Sequence, residues 1–369
     1  MGEYLINIFG KGMHSMNKTT IHLKTNELQI EGYERVVEFK EEASGLHAIV
    51  AIHNTHLGPA LGGIRAYPYA SFDHALNDVL RLAKGMTYKA AVSETGTGGG
   101  KSIIFCDYTA PKSADLLLAF AEVVNFFEGK YICAEDFGMH LADLETVCKG
   151  TPYAVGLPTP RSSGDPSRFT AFGGFRGLQA VCKKVWGSDS VAGRTFAIQG
   201  LGSVGMRIAE HLFWHGARLV VSDINSEATQ KAVKEFGARA LAPDEILQAK
   251  CDVLVPCALG GIINPDTIPH LRCQAIAGLA NNQLLSDSDG ETLFQKGIVY
   301  APDYVINSGG LLAVCVELET EGFNPKTARN HVDRIYDLLT KIFALSEEQG
   351  KSTNLIAKEL AEHNLQKAT

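Results

Sequence analysis

The chain has 369 residues, of which 45% are hydrophobic and 20% charged, so it can bury sizeable cores and is not a disordered segment. Its formal net charge of −7 at pH 7 argues against nucleic acid as the main partner, because phosphate binding needs a basic face. A chain of this length favours two domains over one.

Cysteine usage and the first residues indicate a cytoplasmic protein. The eight cysteines form no CxxC pair, and the spacing of Cys251 and Cys257 suits no common zinc site, so we predict reduced thiols and no metal. The start has only a short apolar run and carries Glu3 where a signal peptide has basic residues. No apolar stretch is long enough to span a bilayer, so we expect no membrane association.

The first half of the chain mixes short strands with helices. The elements predicted from apolar periodicity are, in chain order, a strand at 47–53, a helix at 72–84, a strand at 102–106, a helix at 113–127 and a strand at 130–133. The glycine run at 96–100 predicts a break in secondary structure just before the second strand.

From about residue 155 strands and helices alternate. The predicted elements are a helix at 171–185, a strand at 195–199, a helix at 204–215, strands at 218–223, 251–256, 275–279 and 298–300, and helices at 326–349 and 354–363. This alternation predicts an α/β fold with a parallel, doubly wound sheet. We therefore place a domain boundary near residue 155, with a cleft between the two parts.

A glycine-rich turn follows the predicted strand at 195–199. Gly200, Leu201, Gly202, Ser203, Val204 and Gly205 read G-x-G-x-x-G and open the next helix, which is the context of a dinucleotide-binding turn. Gly200 permits the tight turn, Gly202 lets the backbone approach a pyrophosphate, and Gly205 lets the helix pack on the strand. The helix N-terminus offers free N–H groups to the anion.

Asp223 ends the next predicted strand, where an acid accepts hydrogen bonds from an adenosine ribose. Ile224 and Asn225 follow it, with no arginine to bind a 2′-phosphate, so we expect NAD rather than NADP. Two alternatives stay open here: a simple strand-end turn residue at Asp223, and a non-redox role for the whole segment.

Two lysines of the first half stand in unusual settings. Lys89 ends the segment GMTYK, and Lys101 follows three glycines and precedes an apolar run. That setting would partly desolvate the ammonium of Lys101, which favours proton exchange near neutral pH. Asp136, in the segment AEDFG, adds a carboxylate. Each residue alone also fits an ordinary surface or turn position, but together they form a plausible set for binding and deaminating an amino acid.

Several segments together resemble the glutamate/leucine/phenylalanine/valine dehydrogenase family, most closely its leucine-specific members. They are LGPALGG from Leu57, GMTYK, GGGK, AED, ALGG from Ala258, ANNQL from Ala280 and APDYVINSGG from Ala301. The likeness runs in register from about residue 34 to 360.

The resemblance implies a role for each matching residue. Lys89 would bind the substrate α-carboxylate, Lys101 would activate water, and Asp136 would exchange protons with the substrate nitrogen. The remaining substrate-binding positions are Leu61, Gly62, Ala134, Asn282, Leu311 and Val314. Besides the glycine turn and Asp223, the cofactor-binding positions are Thr170, Ala258, Leu259, Gly260, Ala280, Asn281 and Asn282.

The resemblance also implies an organisation of the chain. Residues 1–155 would form the substrate-binding and oligomerisation domain, with helices from about 345 to 369 packing back onto it, and residues 156–344 the NAD-binding Rossmann domain. The active site would lie in the cleft, and the chain would form a homo-oligomer built from dimers, up to an octamer.

The expected activity is reversible NAD-dependent oxidative deamination of an apolar L-amino acid, namely leucine, valine or isoleucine, to the 2-oxo acid, ammonium and NADH. The matching positions Leu61 and Val314 are apolar, which argues against glutamate. Ala134 resembles the leucine enzymes, whereas Leu311 resembles the phenylalanine ones, so phenylalanine or tryptophan is the alternative. A hydroxy-acid dehydrogenase would need a His–Asp relay, for which His56 and His140 have no evident local partner. A catalytically silent NAD-binding regulator is the alternative from another class.

Overall fold

The computed structural model describes residues 21–157 and 162–367. The N-terminal segment compared above with a signal peptide lies outside them. Within the described part of the chain no helix is both long and apolar enough to cross a membrane. Two compact units divide the chain: one takes in the described residues of Met1–Gly164, Val314–Asn324 and Asn364–Thr369, and the other takes in Asp165–Ala313 and Pro325–His363.

The first unit is built on a mixed six-stranded sheet. Its strands are β1 (Lys24–Leu28), β2 (Arg35–Glu41), β3 (Leu46–Asn54), β4 (Ala60–Tyr67), β5 (Gly98–Phe105) and β6 (Tyr131–Glu135), in the order β1-β2-β3-β5-β4-β6. The strands from β1 to β3 and β5 pair antiparallel, whereas β4 runs parallel to both β5 and β6. This order places β4 between β5 and β6.

Helices cover both faces of this sheet. They are α1 (Phe72–Val92), α2 (Ala114–Asn125) and α3 (Leu141–Gly150). Ile103 of β5 packs with α1 residues such as Val79, whereas Ile104 packs on the opposite face with α2 residues such as Phe120. Because side chains alternate along a strand, Lys101 lies on the α1 face with Ile103.

The second unit contains the predicted doubly wound sheet. Its strands are β7 (Thr195–Gln199), β8 (Arg218–Ser222), β9 (Arg239–Ala240), β10 (Val253–Pro256), β11 (Ala275–Ile276) and β12 (Val299–Tyr300). All the pairs in the order β12-β11-β10-β7-β8-β9 are parallel. The chain order reverses between β7 and β10, and ligands of such sheets bind beyond the carboxyl ends of the strands at this reversal.

The remaining described helices follow or connect these strands. They are α4 (Ser167–Trp186), α5 (Ser203–Trp214), α6 (Ser226–Phe236), α7 (Asp287–Gln295), α8 (Asp303–Ile306), α9 (Gly309–Cys315), α10 (Pro325–Asp333), α11 (Ile335–Gln349) and α12 (Thr353–Lys367), with 3₁₀ turns at Ile246–Gln248, Ile268–His270 and Val316–Leu318. The helix predicted at 326–349 is thus two helices, and the helix predicted at 72–84 runs on to Val92.

The predicted break at the glycine run is wrong for its last three residues. Gly98, Gly99 and Gly100 belong to β5, and only Gly96 has a positive φ, of 72°. A Cβ on Gly99 would lie 2.1 Å from the backbone nitrogen of Thr87, because α1 packs directly on this strand. These glycines therefore allow close packing rather than flexibility.

The division into units differs from the predicted domain bounds. Residues 156–157 and 162–164 belong to the first unit, where the N–H groups of Gly156 and Ser163 donate to the carboxylate of Glu317. Residues 345–363 lie in the second unit, where the Thr353 hydroxyl donates to the Tyr300 carbonyl at 2.6 Å. Among the described residues from 345 onwards, the first unit takes 364–367.

Candidate active site

Lys101 and Asp136 form a close ion pair in the first unit. The Nζ atom of Lys101 lies 2.8 Å from Oδ2 of Asp136, and the two side chains are 7% and 23% exposed. Lys101 is on β5 and Asp136 follows β6, so the pair reaches across the intervening strand β4. The sequence named both residues without indicating that they touch.

Gly63 makes this contact possible. It lies on β4 opposite Ala134 of β6, and a Cβ there would lie 2.6 Å from Cβ of Asp136 and 3.1 Å from Nζ of Lys101. A side chain at this position would occupy the space in which the two charged groups meet. Gly63 is therefore a site residue that the sequence did not predict, although it is the last residue of the segment LGPALGG.

The carboxyl group of Asp136 is held in its ionised form. Burial raises the pKa of Asp136, but Lys101 and Arg65 beside it outweigh burial, and the pKa is lowered overall. The Nε of Arg65 donates to the same oxygen, Oδ2, at 3.1 Å. With two cations beside it, the carboxyl group of Asp136 is ionised, and can accept a proton, even well below neutral pH.

The predicted substrate-binding residues are divided between the units. Lys89, half-buried in the last turn of α1, Leu61 and Gly62 on β4, Ala134 on β6 and Val314 belong to the first unit. Asn282 and Leu311 belong to the second. Leu61 and Val314 are buried, at 2% and 7% exposure, while Ala134 is half-buried.

Gly62 has a structural position rather than an open one. A Cβ on Gly62 would lie 1.9 Å from the carbonyl oxygen of Gly100, so β4 and β5 approach closely here. The buried hydroxyl oxygen of Tyr131 is hydrogen-bonded both to the Gly62 carbonyl oxygen, at 3.0 Å, and to Oγ of Ser102, at 2.9 Å. The strands that carry Gly63 and Lys101 are thereby fixed relative to each other.

In the second unit the glycine turn has the geometry that its motif predicts. Gly200 has a φ of 91°, which favours glycine, and a Cβ on Gly205 would lie 2.0 Å from the Gly200 carbonyl oxygen. Gly202, the N-cap of α5, would meet nothing within 4 Å. The turn is closed on the protein side by Gly205 and open at Gly202.

Asp223 lies directly beside this turn. Its Oδ2 accepts a hydrogen bond from the N–H of Leu201 at 2.5 Å, and Oδ1 accepts one from the N–H of Asn225 at 2.7 Å. Strand β8 ends one residue before Asp223, so the carboxylate stands at the carboxyl edge of the sheet. This is the position that the motif assigns to an acid facing a ribose.

The other predicted cofactor-binding residues collect at the same edge. A Cβ on Gly200 would lie 2.8 Å from Cβ of Ala258, and a Cβ on Gly260 would lie 2.7 Å from the Asn281 carbonyl oxygen. The N–H of Asn282, at a φ of 53°, donates to Asp303. The nearby positions Leu201 and Ala280 are buried, whereas Gly202, Ser203, Ala258, Leu259, Gly260, Asn281 and Asn282 are exposed.

Two further residues join this edge. Asn307 donates from Nδ2 to Oδ1 of Asn281 at 2.7 Å, which links α8 to the Ala280–Asn282 loop. Thr170 lies in the first turn of α4, where its hydroxyl donates to the Pro166 carbonyl. A Cβ on Gly310 would lie 2.9 Å from Oγ1 of Thr170. All the predicted cofactor positions thus lie in one unit, and most lie beside the reversal of strand order.

These residues fit a dinucleotide. The open space over Gly202 and the uncapped N-terminus of α5 match a pyrophosphate, and the carboxylate of Asp223 matches a ribose. Among residues 21–157 and 162–367 no group of three metal-ligating side chains occurs. The ring of His56 contacts Asn54, and the backbone N–H of His140 donates to Asp143 at the start of α3. Neither arrangement is the ring-to-carboxylate pair of a proton relay.

Comparison with known proteins agrees with this geometry. Residues 33–153 match the model of the Glu/Leu/Phe/Val dehydrogenase dimerisation domain, and residues 221–362 match that of the glutamate/leucine/phenylalanine/valine dehydrogenases. The chain is 45% identical to leucine dehydrogenase from Geobacillus stearothermophilus, over 90% of this chain and 91% of that one. It is 43% identical to phenylalanine dehydrogenase from Caldalkalibacillus thermarum, over 92% and 93% of the two chains.

A solved structure shows the same fold. The crystal structure of L-tryptophan dehydrogenase from Nostoc punctiforme superposes with a TM-score of 0.79 at 40% identity, and the match covers 91% of this chain and 96% of that one. The family models together span most of the chain, and the relatives are matched over nearly their whole length. The chain therefore belongs to the glutamate/leucine/phenylalanine/valine dehydrogenase family and is an amino-acid dehydrogenase.

Proposed function

We propose that this enzyme oxidatively deaminates a small apolar L-amino acid, leucine or valine first, to its 2-oxo acid and ammonium, with NAD as cofactor. The observation that carries the proposal is the ion pair of Lys101 and Asp136, 2.8 Å apart over the side-chain-free position of Gly63. A lysine and an ionised carboxylate in contact can exchange protons with a substrate nitrogen and with an attacking water.

Each polar group has a separate task in this reaction. Lys89 binds the α-carboxylate of the substrate and so fixes its orientation. Asp136, which is ionised, accepts a proton from the substrate ammonium. A bound dinucleotide supplies the hydride acceptor. Lys101, in its neutral form, takes a proton from the water that attacks the resulting 2-imino acid. Asp136 then returns its proton to the nitrogen, the C–N bond breaks, and the nitrogen leaves with the carbinol proton as ammonium.

The preference for NAD rests on Asp223. A carboxylate beside the glycine turn accepts the two hydroxyl groups of an adenosine ribose and repels a 2′-phosphate. The residues after it, Ile224 and Asn225, offer no cation that would offset this repulsion.

The choice of substrate rests on Leu61 and Val314. Both are apolar and almost fully buried, so a substrate carboxylate placed against them would lose its hydration without gaining a partner. Such burial costs several kcal/mol. We infer that glutamate is a very poor substrate.

A second candidate is an aromatic amino acid. Leu311 resembles the phenylalanine enzymes, and the relatives of this chain include phenylalanine and L-tryptophan dehydrogenases at 42–43% identity. One methylene in an apolar pocket changes discrimination by only about 1–3 kcal/mol, so activity on several apolar side chains is expected. Ala134 favours the aliphatic choice.

We also propose a homo-oligomer built from dimers, with an octamer as one such assembly. Its support is the match of residues 33–153 to a domain model described as a dimerisation domain. Light scattering of the purified protein gives the number of subunits, and a monomer at working concentration would contradict this proposal.

The substrate proposal is tested by following NADH formation with leucine, valine, isoleucine, phenylalanine, tryptophan and glutamate. Lys101→Ala protein purified in parallel serves as the control for contaminating dehydrogenases. We expect leucine or valine to have the highest kcat/KM and glutamate the lowest. Phenylalanine or tryptophan oxidised tenfold faster than leucine would select the second candidate. NAD binding without oxidation of any amino acid would indicate a silent regulator instead.

A further inference from the structure

Arg65 continues the line of charges that begins with Lys101 and Asp136. It lies on β4 two residues after Gly63 and therefore on the same face of the sheet. Its Nε donates to Oδ2 of Asp136 at 3.1 Å, and its Nη1 donates to Oδ2 of Asp78 at 2.9 Å. The guanidinium group thus bridges two carboxylates, and its side chain is only 22% exposed.

Asp78 is itself held in place. It lies on α1, where the hydroxyl of Tyr69 donates to its Oδ2 at 2.7 Å and Nη2 of Arg81 donates to its Oδ1 at 3.2 Å. Burial raises the pKa of Asp78, but Tyr69, Arg65 and Arg81 outweigh it, so Asp78 is ionised. The planar fork of Arg65 cannot turn toward solvent without breaking one of its two ion pairs.

We propose that Arg65, oriented by Asp78, is the positioning residue that aims Asp136 at the substrate and keeps it ionised until it accepts the substrate proton. The proposal rests on the proposed function, in which Lys101 exchanges protons and therefore changes its charge. An arginine keeps its charge at every step. Arg65 is then the permanent counter-ion of Asp136, and Lys101 the variable one.

The charges near Asp136 come from every element packed around it. Lys101 on β5 and Arg65 on β4 contact its carboxylate directly. The ionisable hydroxyl groups of Tyr131 on β6 and Tyr69 after β4 also lie within electrostatic range. Beyond Arg65 stand the charged groups of α1, Asp78 and Arg81. Arg65 is the group in this set that donates to Asp136 and carries a fixed charge.

The test compares the pH dependence of kcat/KM for three variants. Arg65→Gln removes one of the two cations on Asp136, so we expect the acidic limb to move up by about one pH unit. Asp78→Asn removes the negative charge that offsets Arg65 but keeps a hydrogen-bond acceptor, so the limb should move slightly down. Tyr69→Phe removes a hydrogen bond from Asp78 without changing any charge, so its limb should stay at the wild-type pH.

The opposite signs separate positioning from a merely structural role. A structural role would lower kcat at every pH and leave the limb in place. An unchanged limb in Arg65→Gln, or a shift of the same sign in Asp78→Asn, would overturn the proposal. If Arg65→Gln does not fold, Asp78→Asn carries the test alone. An acidic limb that moves down then supports the proposal, and a limb that stays in place or moves up overturns it.

A second measurement is independent of catalysis. In a double-mutant cycle of Arg65→Gln and Asp136→Asn, we expect the loss of Tm in the double variant to be smaller than the sum of the single losses. Additive losses would show that the two groups are not coupled and would overturn the proposal. If the wild-type protein oxidised no amino acid, the proposed function would fail, while this cycle would still read the coupling.

Discussion

Gly63→Ala is the substitution that tests the candidate active site most directly. The added Cβ would lie 2.6 Å from Cβ of Asp136, 3.0 Å from the Glu135 carbonyl oxygen and 3.1 Å from Nζ of Lys101. The Glu135 oxygen and the Asp136 Cβ are not ends of flexible side chains, so they cannot move away freely. The variant should therefore push Lys101 and Asp136 apart.

The size of the effect follows from the geometry of the pair. At an effective dielectric constant of about 20, two unit charges gain about 6 kcal/mol at the observed 2.8 Å and about 4 kcal/mol at about 4.5 Å. The difference of about 2 kcal/mol corresponds to a factor of about 30, and a displacement of about 1 Å in reacting groups costs up to about 100-fold. We therefore expect kcat to fall about 30- to 100-fold.

The assay measures kcat, cofactor binding and Tm for Gly63→Ala beside a matched control. Gly85→Ala adds the same methyl group in α1, where nothing lies within 4 Å, and should stabilise the protein by about 0.5–1 kcal/mol. Overpacking at Gly63 should cost about 1–3 kcal/mol of stability without unfolding the chain. A folded Gly63→Ala variant with kcat within threefold of wild type would refute the view that catalysis depends on this contact.

Two further predictions concern the lysines and the cofactor. Lys101→Ala should lower kcat by a factor of about 10²–10⁴ while NADH binding, measured by fluorescence titration, persists. Near wild-type turnover in this variant would contradict the role of Lys101 as a base. Lys89→Ala should instead chiefly raise the substrate KM. Asp223→Asn should reduce the ratio of kcat/KM with NAD to that with NADP by at least tenfold, and an unchanged ratio would remove Asp223 as the group that selects NAD.

The Rossmann half of the chain could be predicted well from sequence because its signals are local. The strand Thr195–Gln199 has the predicted bounds, and the turn from Gly200 to Gly205 lies where the motif requires. Each glycine answers to a contact within the same strand–turn–helix unit, such as Gly205 against the Gly200 carbonyl. The grouping of the loops at Ala258 and Ala280 around this turn follows from parallel strands, whose carboxyl ends share one edge.

The first half of the chain is harder to predict from sequence because its glycines pack against residues that are distant along the chain. Three glycines before a lysine are typical of a flexible loop, yet Gly99 packs against Thr87, and Gly100 against Tyr131 of another strand. These contacts depend on the strand order β3-β5-β4-β6, which no local pattern encodes. The glycines before Lys101 therefore make its setting rigid rather than flexible. The lysine projects from the middle of a packed sheet, where its partner can be held at a fixed distance.

The same order explains why the resemblance named Lys101 and Asp136 but not Gly63, Arg65 or Asp78 as site residues. Lysine and aspartate can be assigned a catalytic role from sequence because their side chains exchange protons. A glycine and an arginine matter here only because of where the strand pairing places them. Gly63 and Arg65 stand two residues apart on the strand between β5 and β6, so one leaves space for the ion pair and the other supplies its second cation. A charged residue inside a strand that is otherwise apolar is the signal that could have found Arg65. Its presence in the segment ALGGIRAY requires a buried partner, because an unpaired charge at that depth would be too costly to keep.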